Sequence, residues 1–402
     1  MLESVFYIVM ANFGFWFNFL IPIAIALFLA FTHREYVWKE FGIQVLVTFV
    51  YVFSIYMLLF STTTDLMDTE VHNGQAVSFT YVEEWKERVT YTETYSCGSS
   101  KSPRTCTRTK TRIDHHSPYY EIMTSNAEII RIARRDWLNA SSEFGKQFVN
   151  IHRSNQVSYG DGNKYVAHPS RLIPTAQPHT YENAVKATKM NVIHSKVPKA
   201  DIDILVKEGK LREYPAIYRS ELGSEKLNRF IDTTHIVKAK YLDKLNNLSV
   251  NIGRSKHGNP IFYVTDKDRS FKGALEQHWD KGKKNDITMV FGLDTEGNII
   301  WSDVITFTNN TDFIVDMQNI FKGLNMNTDT DIILKKFNET VHKTWVRKPF
   351  KEFDYLKENI TLEWYWQLLI FLGNLGLSGF VMYKMMTNYT SKNIRYGTHE
   401  RY

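Results

Sequence analysis

Long apolar runs at the two ends of this 402-residue chain enclose a polar middle in which hydrophobic positions recur with strand and helix periods. From Ser4 to Thr32 there is no charged residue, and Phe13 to Phe31 is almost wholly apolar. At 1.5 Å per residue such a run can cross a hydrocarbon layer of roughly 30 Å. A second uncharged run goes from Phe41 to Thr64, and a third lies between Glu363 and Lys384 with Trp364, Tyr365, Trp366 and Tyr383 at its ends as interfacial anchors. The pattern predicts transmembrane helices at residues 1–33, 41–63 and 364–386 and a tail at 387–402. A cleaved leader needs a basic start, whereas this chain opens Met1, Leu2, Glu3, so the first span is expected to stay.

The polar middle is long enough for two lobes, 64–230 and 231–362. In the first, a strand pattern runs from Val77 to Ser96, a turn with Gly98, Ser99, Ser100, Ser102 and Pro103 follows, and a second strand runs from Cys106 to Asp114. This is a β-hairpin over 77–114. Ser125 and Glu128 have capping-box spacing ahead of Ile129, Ile130, Ile132, Trp137 and Leu138, which predicts a helix starting there. Between Asn150 and Pro198, Gly160, Gly162, Pro169, Pro174 and Pro178 mark irregular backbone. The second lobe alternates. A helical stretch through Ile236, Ala239, Leu242, Leu245 and Leu248 leads to a strand at Pro260–Thr265, a helix at Phe271–Trp279 and a strand at Ile287–Leu293. A turn at Asp294–Gly297, a strand at Asn298–Phe307 and helices at Thr311–Leu324 and Asp329–Trp345 complete it. The expected fold class is therefore mixed, α+β or α/β: a mixed sheet covered by helices, a projecting hairpin and three membrane helices.

The net charge of +6 says less than its distribution. Arg34 and Lys39 lie between the first two runs, and Lys384, Lys392, Arg395 and Arg401 follow the third, while Ser61 to Trp85 holds no Lys or Arg. The positive-inside rule then puts the N-terminus and the domain outside and the C-terminus in the cytoplasm. Lys343, Arg347, Lys348, Lys351 and Lys357 lie on the proposed outer side, but long translocated domains largely escape the rule. The only two cysteines, Cys97 and Cys106, both fall in the domain, and a disulfide between them needs an oxidising compartment.

With Cys97 opposite Cys106, the antiparallel register sets Tyr95 against Arg108, Glu93 against Lys110 and Tyr91 against Arg112, pairs matched by charge or by cation and ring. The other face sets Thr94 against Thr109 and Thr92 against Thr111. A stapled ribbon polar on both faces suits contact with a partner, through Tyr91, Tyr95, Arg108, Lys110 and Arg112. On the outer side, lipid headgroups, glycans or another protein are the expected targets rather than nucleic acid. In the third span, Gly373, Gly376 and Gly379 provide small residues for close helix packing, with another membrane protein or with a second copy. No span carries an internal charge of the kind transport paths use.

Residues 259–323, through IFYVT, ALEQHWDKGKKNDITMVFGLD and NIIWSDV, resemble the TPM-type domain, a small Rossmann-like module usually tethered by a membrane helix outside the cytosol. The resemblance implies a helix feeding a polar turn, here Gly282 to Asp286, then a buried strand and a hairpin, and it brings metal binding or phosphatase-type hydrolysis as an alternative function. The chain departs from that pattern after the hairpin, where Ile305 to Asn310 replace a glycine-rich acidic segment. Asp294, Asp303 and Asp312 sit at strand and helix ends, where carboxylates can bind Ca²⁺ or simply cap turns. Asp114, His115 and His116, with His168 and His179 beyond, lack metal-ligand spacing, and adjacent histidines on a strand face opposite ways. No nucleophile elbow, phosphate loop or catalytic Cys/His pair is present in the sequence. A non-catalytic display or assembly protein without a cofactor is the expectation.

Overall fold

A computed structural model describes residues 2–32, 38–99, 102–158, 162–188 and 197–396. Arg34, Ser100, Gly160 and Arg401, to which the sequence assigned roles, lie outside the described residues. The chain forms two compact units, residues 1–68, 180–192 and 349–402 in one and 69–179 and 193–348 in the other.

The N-terminal apolar run is three helical pieces, α1 (Leu2–Ala11), α2 (Phe13–Phe17) and α3 (Leu20–Thr32), and the second run is one helix, α4 (Trp38–Thr63). Two helices, Phe41–Thr63 and Trp364–Thr387, are long and apolar enough to cross a membrane, and a third candidate is the pair Leu2–Ala11 and Phe13–Phe28, bent by 60°, if it counts as one span. The bend has a local cause. Asn12 leaves the helix with extended backbone and its side chain accepts from Gly14 N, ending one helix and capping the next. Val5, Val9, Phe15, Val52, Tyr56 and Ile370 share the core of this unit. Asn374 donates to Asn18 O at 3.0 Å and accepts from Thr48 at 3.2 Å, so these buried polar groups satisfy one another between helices.

The chain enters the second unit at Thr69 within β1 (Met67–Val82) and continues through β2 (Trp85–Ser99), β3 (Ser102–His116), β4 (Tyr119–Thr124), β5 (Ile129–Arg131), α5 (Arg134–Phe144), β6 (Gln147–Val149) and β7 (Lys164–Ala167) into β8 (Pro174–Glu182), which leaves it after His179. One sheet has the order β5-β4-β1-β7-β6, with β8 also on β1, while β2 and β3 pair only with each other as named strands. The strand expected over 77–96 is thus two strands separated at Glu83 and Glu84: the first stays in the sheet and the second leaves it. The helix expected from Ser125 starts later. Ala127 takes a positive φ of 61°, Ile129–Arg131 pair with β4, and the helix opens at Arg134 with Asp136 accepting from Ala133 N. The β-branched Ile129 and Ile130 favour that strand.

After α6 (Ala184–Ala187), which belongs to the first unit, the second unit resumes with α7 (Lys199–Lys207), β9 (Ile217–Arg219), β10 (Glu225–Leu227), β11 (Phe230–Asp232), α8 (Tyr241–Lys256), β12 (Asn259–Thr265), α9 (Phe271–His278), β13 (Asp286–Leu293), β14 (Ile299–Ile305), α10 (Thr311–Asn319) and α11 (Thr330–Thr344). A four-stranded sheet runs β11-β12-β13-β14, its first three strands parallel and β14 antiparallel. Every residue of β12 and β13 is buried, as parallel strands covered on both faces should be. Alternate side chains divide between two cores. Phe262, Val264, Met289 and Phe291 pack with α8, α10 and α11, while Ile261, Tyr263 and Val290 pack with Phe271, Leu275 and Trp279 of the α9 region. The second core also takes Val71, Ala176, Leu211 and Leu227, so packing runs across the expected lobe boundary at residue 230.

Candidate functional site

The ribbon is a continuation of the sheet. β1 pairs antiparallel with β4 up to Val82 and Tyr119, and β2 and β3 carry the same hairpin onward with neither edge covered by a third strand. Fifteen paired positions per strand, Trp85 to Ser99, give a reach of roughly 45 Å at 3.3 Å per residue. Its base is clamped. Trp85 stacks on His116 at 4.0 Å, the Arg153 guanidinium lies 4.2 Å from the Trp85 ring, and Arg88 N and Lys86 O bond to Asn155 and Val157. Beyond that base, no described residue of the ribbon is buried.

The disulfide Cys97–Cys106 is present, with Cα atoms 5.7 Å apart. The register differs from the expected one by two residues: Cys97 lies opposite Arg104 and Tyr95 opposite Cys106, so the bridge is diagonal. A shift of two keeps every side chain on its face. The expected partners therefore still meet, as diagonal neighbours: Arg108 lies 5.1 Å from the Tyr95 ring and Arg112 5.9 Å from that of Tyr91. Glu93 takes both Arg108 and Lys110 at 2.7 Å. The Lys110 hydrogen bond, then that of Arg108, hold its carboxyl below the usual range. The opposite face is a ladder of hydroxyls, Thr94 against Thr107, Thr92 against Thr109 and Thr90 against Thr111. Lys86, Arg88, Arg104, Arg108, Lys110 and Arg112 outweigh Glu87, Glu93 and Asp114, which makes the arm basic.

The three aspartates singled out in the sequence have separate local partners. Asp294 closes the β13–β14 turn, accepting from Glu296 N at 2.9 Å and Asn298 N at 2.8 Å, and the Asn298 bonds pull its pKa down. Asp303 is ion-paired to Arg269 at 3.0 Å and accepts from Gln318 at 3.1 Å. Asp312 is exposed in the first turn of α10. His116 bonds Glu87 at 3.0 Å, His115 is exposed, and His168 is 3.4 Å from Val77 O.

Among the described residues, one group of His and acidic side chains brings its ligand atoms within 4.8 Å of one another: His72, Glu128 and His179. The sequence offers His179 as a ligand candidate but not His72 or Glu128, since neither sits in a recognisable metal-ligand spacing; only the pairing of β8 with β1, and the β4–β5 turn beside them, assembles the group. In the C-terminal helix, a Cβ on Gly373 would collide with the Tyr51 hydroxyl of α4, whereas Gly376 and Gly379 have open space around them. Compared with protein-family models, curated proteins and solved structures, the chain matched none.

Proposed function

We propose that this chain is a three-span membrane protein that displays its second unit outside the cytoplasm and uses the stapled basic ribbon to bind an acidic face of another protein, without catalysis of its own. The ribbon carries the reading: a 15-pair antiparallel arm, clamped at its base, unburied beyond it and closed by a disulfide near the tip, has no packing role within its unit. Cross-bracing of Glu93 by Arg108 and Lys110 and stacking of arginines on Tyr91 and Tyr95 hold these side chains in place before contact, which reduces the ordering cost of binding. Arg and Tyr are also the residue types that dominate binding energy at protein interfaces.

Three spans follow if residues 13–32 cross, since twenty residues at about 1.5 Å each cover about 30 Å, with α1 turned aside at Asn12. Ser4 and Tyr7 of α1 bond to Glu182 and Glu358, polar groups that belong at the surface rather than in hydrocarbon. That supports an N-terminus on the side where the third span begins. Lys384 at the far end of the third span and the disulfide in the second unit favour the outside for that side. Gly376 and Gly379 leave room for a neighbouring membrane helix.

A photo-crosslinking residue placed at Tyr95 in the full-length protein in its native membrane tests the proposal. Discrete adducts are expected, and they should vanish when Arg108→Glu and Arg112→Glu are added. A ribbon that yields no adduct, or one whose adducts survive both charge reversals, would remove the arm from the account.

A further inference from the structure

We infer that His72, Glu128 and His179 form a binding site for a divalent transition-metal ion, with Zn²⁺ as its probe. The site is separate from the ribbon and from the three aspartates. His72 comes from β1, His179 from the strand beside it, and Glu128 from the turn that leads into β5. Glu128 is held by its backbone on both sides, its N–H donating to Thr124 Oγ1 at 3.1 Å and its carbonyl accepting from Thr124 N at 2.9 Å. One carboxylate oxygen, Glu128 Oε1, lies 2.7 Å from His179 Nε2 and 3.6 Å from His72 Nδ1. Zinc bonds of about 2.0–2.1 Å in a tetrahedron put neighbouring ligand atoms roughly 3.3 Å apart, so the two distances bracket what an ion requires.

Two further observations point to a ligand. The second Glu128 oxygen, Oε2, is buried and has no hydrogen-bond partner, an arrangement that normally costs free energy unless something binds there. The other side of His72 is already fixed: its Nε2 is 3.1 Å from Glu70 Oε1, which leaves Nδ1 facing the group. A carboxylate behind a ligating imidazole is the usual means of setting its tautomer and orientation. Glu70 is itself secured by Lys284 at 2.8 Å and by Arg347, so its charge is compensated and Glu128 supplies the negative charge facing the two rings. The imidazoles stack at 3.8 Å with 18° between their planes. An ion lying in the plane of both requires the rings to fan apart, a side-chain rotation only. Two imidazoles and one carboxylate select zinc, iron or a neighbouring metal over Ca²⁺ and Mg²⁺, which take all-oxygen sets. Three protein ligands leave a coordination position for water or a ligand.

The test is a Zn²⁺ titration of full-length, detergent-solubilised protein stripped by chelator, followed calorimetrically with millimolar Ca²⁺ and Mg²⁺ present, and repeated with Co²⁺ for its absorption bands. One ion per chain is expected, with affinity at least about tenfold weaker in His179→Ala and in Glu128→Gln, and unchanged in His115→Ala on the ribbon. Glu70→Gln should weaken binding by about 10- to 100-fold without removing a ligand, as loss of an orienting partner does. Should His179→Ala fail to fold, Glu128→Gln decides, since it keeps the side chain's shape. Absence of binding to the wild-type protein, or affinity unaltered by Glu128→Gln, would leave a hydrogen-bonded cluster and overturn the site.

Discussion

Two buried carboxylates in the second unit meet opposite fates. Burial would raise the pKa of Glu70, but hydrogen bonds from His72 and Lys284 and the charges of Arg347 and Lys284 outweigh it and hold the group at about 2. Asp286 is pushed up to about 6, because burial outweighs hydrogen bonds from Lys283 N, Asn259 and Tyr214 and the charge of Lys283. A carboxyl whose folded-state pKa exceeds its unfolded value adds stability that is complete below the unfolded pKa, near 3.8, and lost as pH rises through about 6. Over that window the group accounts for about 3 kcal/mol, at 1.36 kcal/mol per pKa unit. Asp286→Asn removes the titration. The thermal midpoint of the variant should therefore lose the decline between pH 4 and pH 6.5 that this group gives the wild type, whatever its absolute stability. A decline of the same size in both proteins would show that Asp286 is already ionised in the fold at pH 4.

At the scale of elements, the parts legible in the sequence were those decided by local pattern. β12, β13, β14 and the helices α9 to α11 lie where their periodicity placed them, because runs such as Ile261–Thr265 and Met289–Leu293 admit few other structures, whereas α8 opens at Tyr241 and leaves Ile236 and Ala239 of the expected helix outside it. The ribbon's register was not legible: turn residues and cysteine positions allow a bridge either directly across or on the diagonal, and both preserve the faces. The break at Glu83 and Glu84 depends on where β7 and β4 stop accompanying β1, a long-range matter that the alternation between Val77 and Ser96 does not record. Glycines in the C-terminal helix look alike in sequence and differ in place. Gly373→Leu should push the C-terminal helix off α4 and lower the thermal midpoint in detergent by several degrees, as overpacking costs of about 1–3 kcal/mol do. Gly376→Leu should leave that midpoint unchanged, since nothing in its own chain lies nearby. Equal losses at both positions would mean that the helix packs differently.

For the molecule as a whole, two helices are long and apolar enough to span a membrane by length and composition, and the N-terminal run adds a bent third candidate. The proposal that the domain lies outside the cytoplasm draws on the charge distribution and on the Cys97–Cys106 bond, which an oxidising compartment favours. What the sequence could not convey was the convergence of His72, Glu128 and His179, nor the core that joins Val71 and Leu211 to β12, since both arise from contacts between distant segments. The arm's proposed role depends on the side it faces. The most direct measurement is thiol and protease accessibility in sealed, right-side-out membrane vesicles carrying the full-length protein with a C-terminal tag. Cys97 and Cys106 are expected to resist a membrane-impermeant thiol reagent until an external reductant is added, and external protease is expected to digest the domain while the tag survives. Cysteines that react only after the vesicles are opened, with a tag that external protease removes, would place the domain in the cytoplasm and contradict the account.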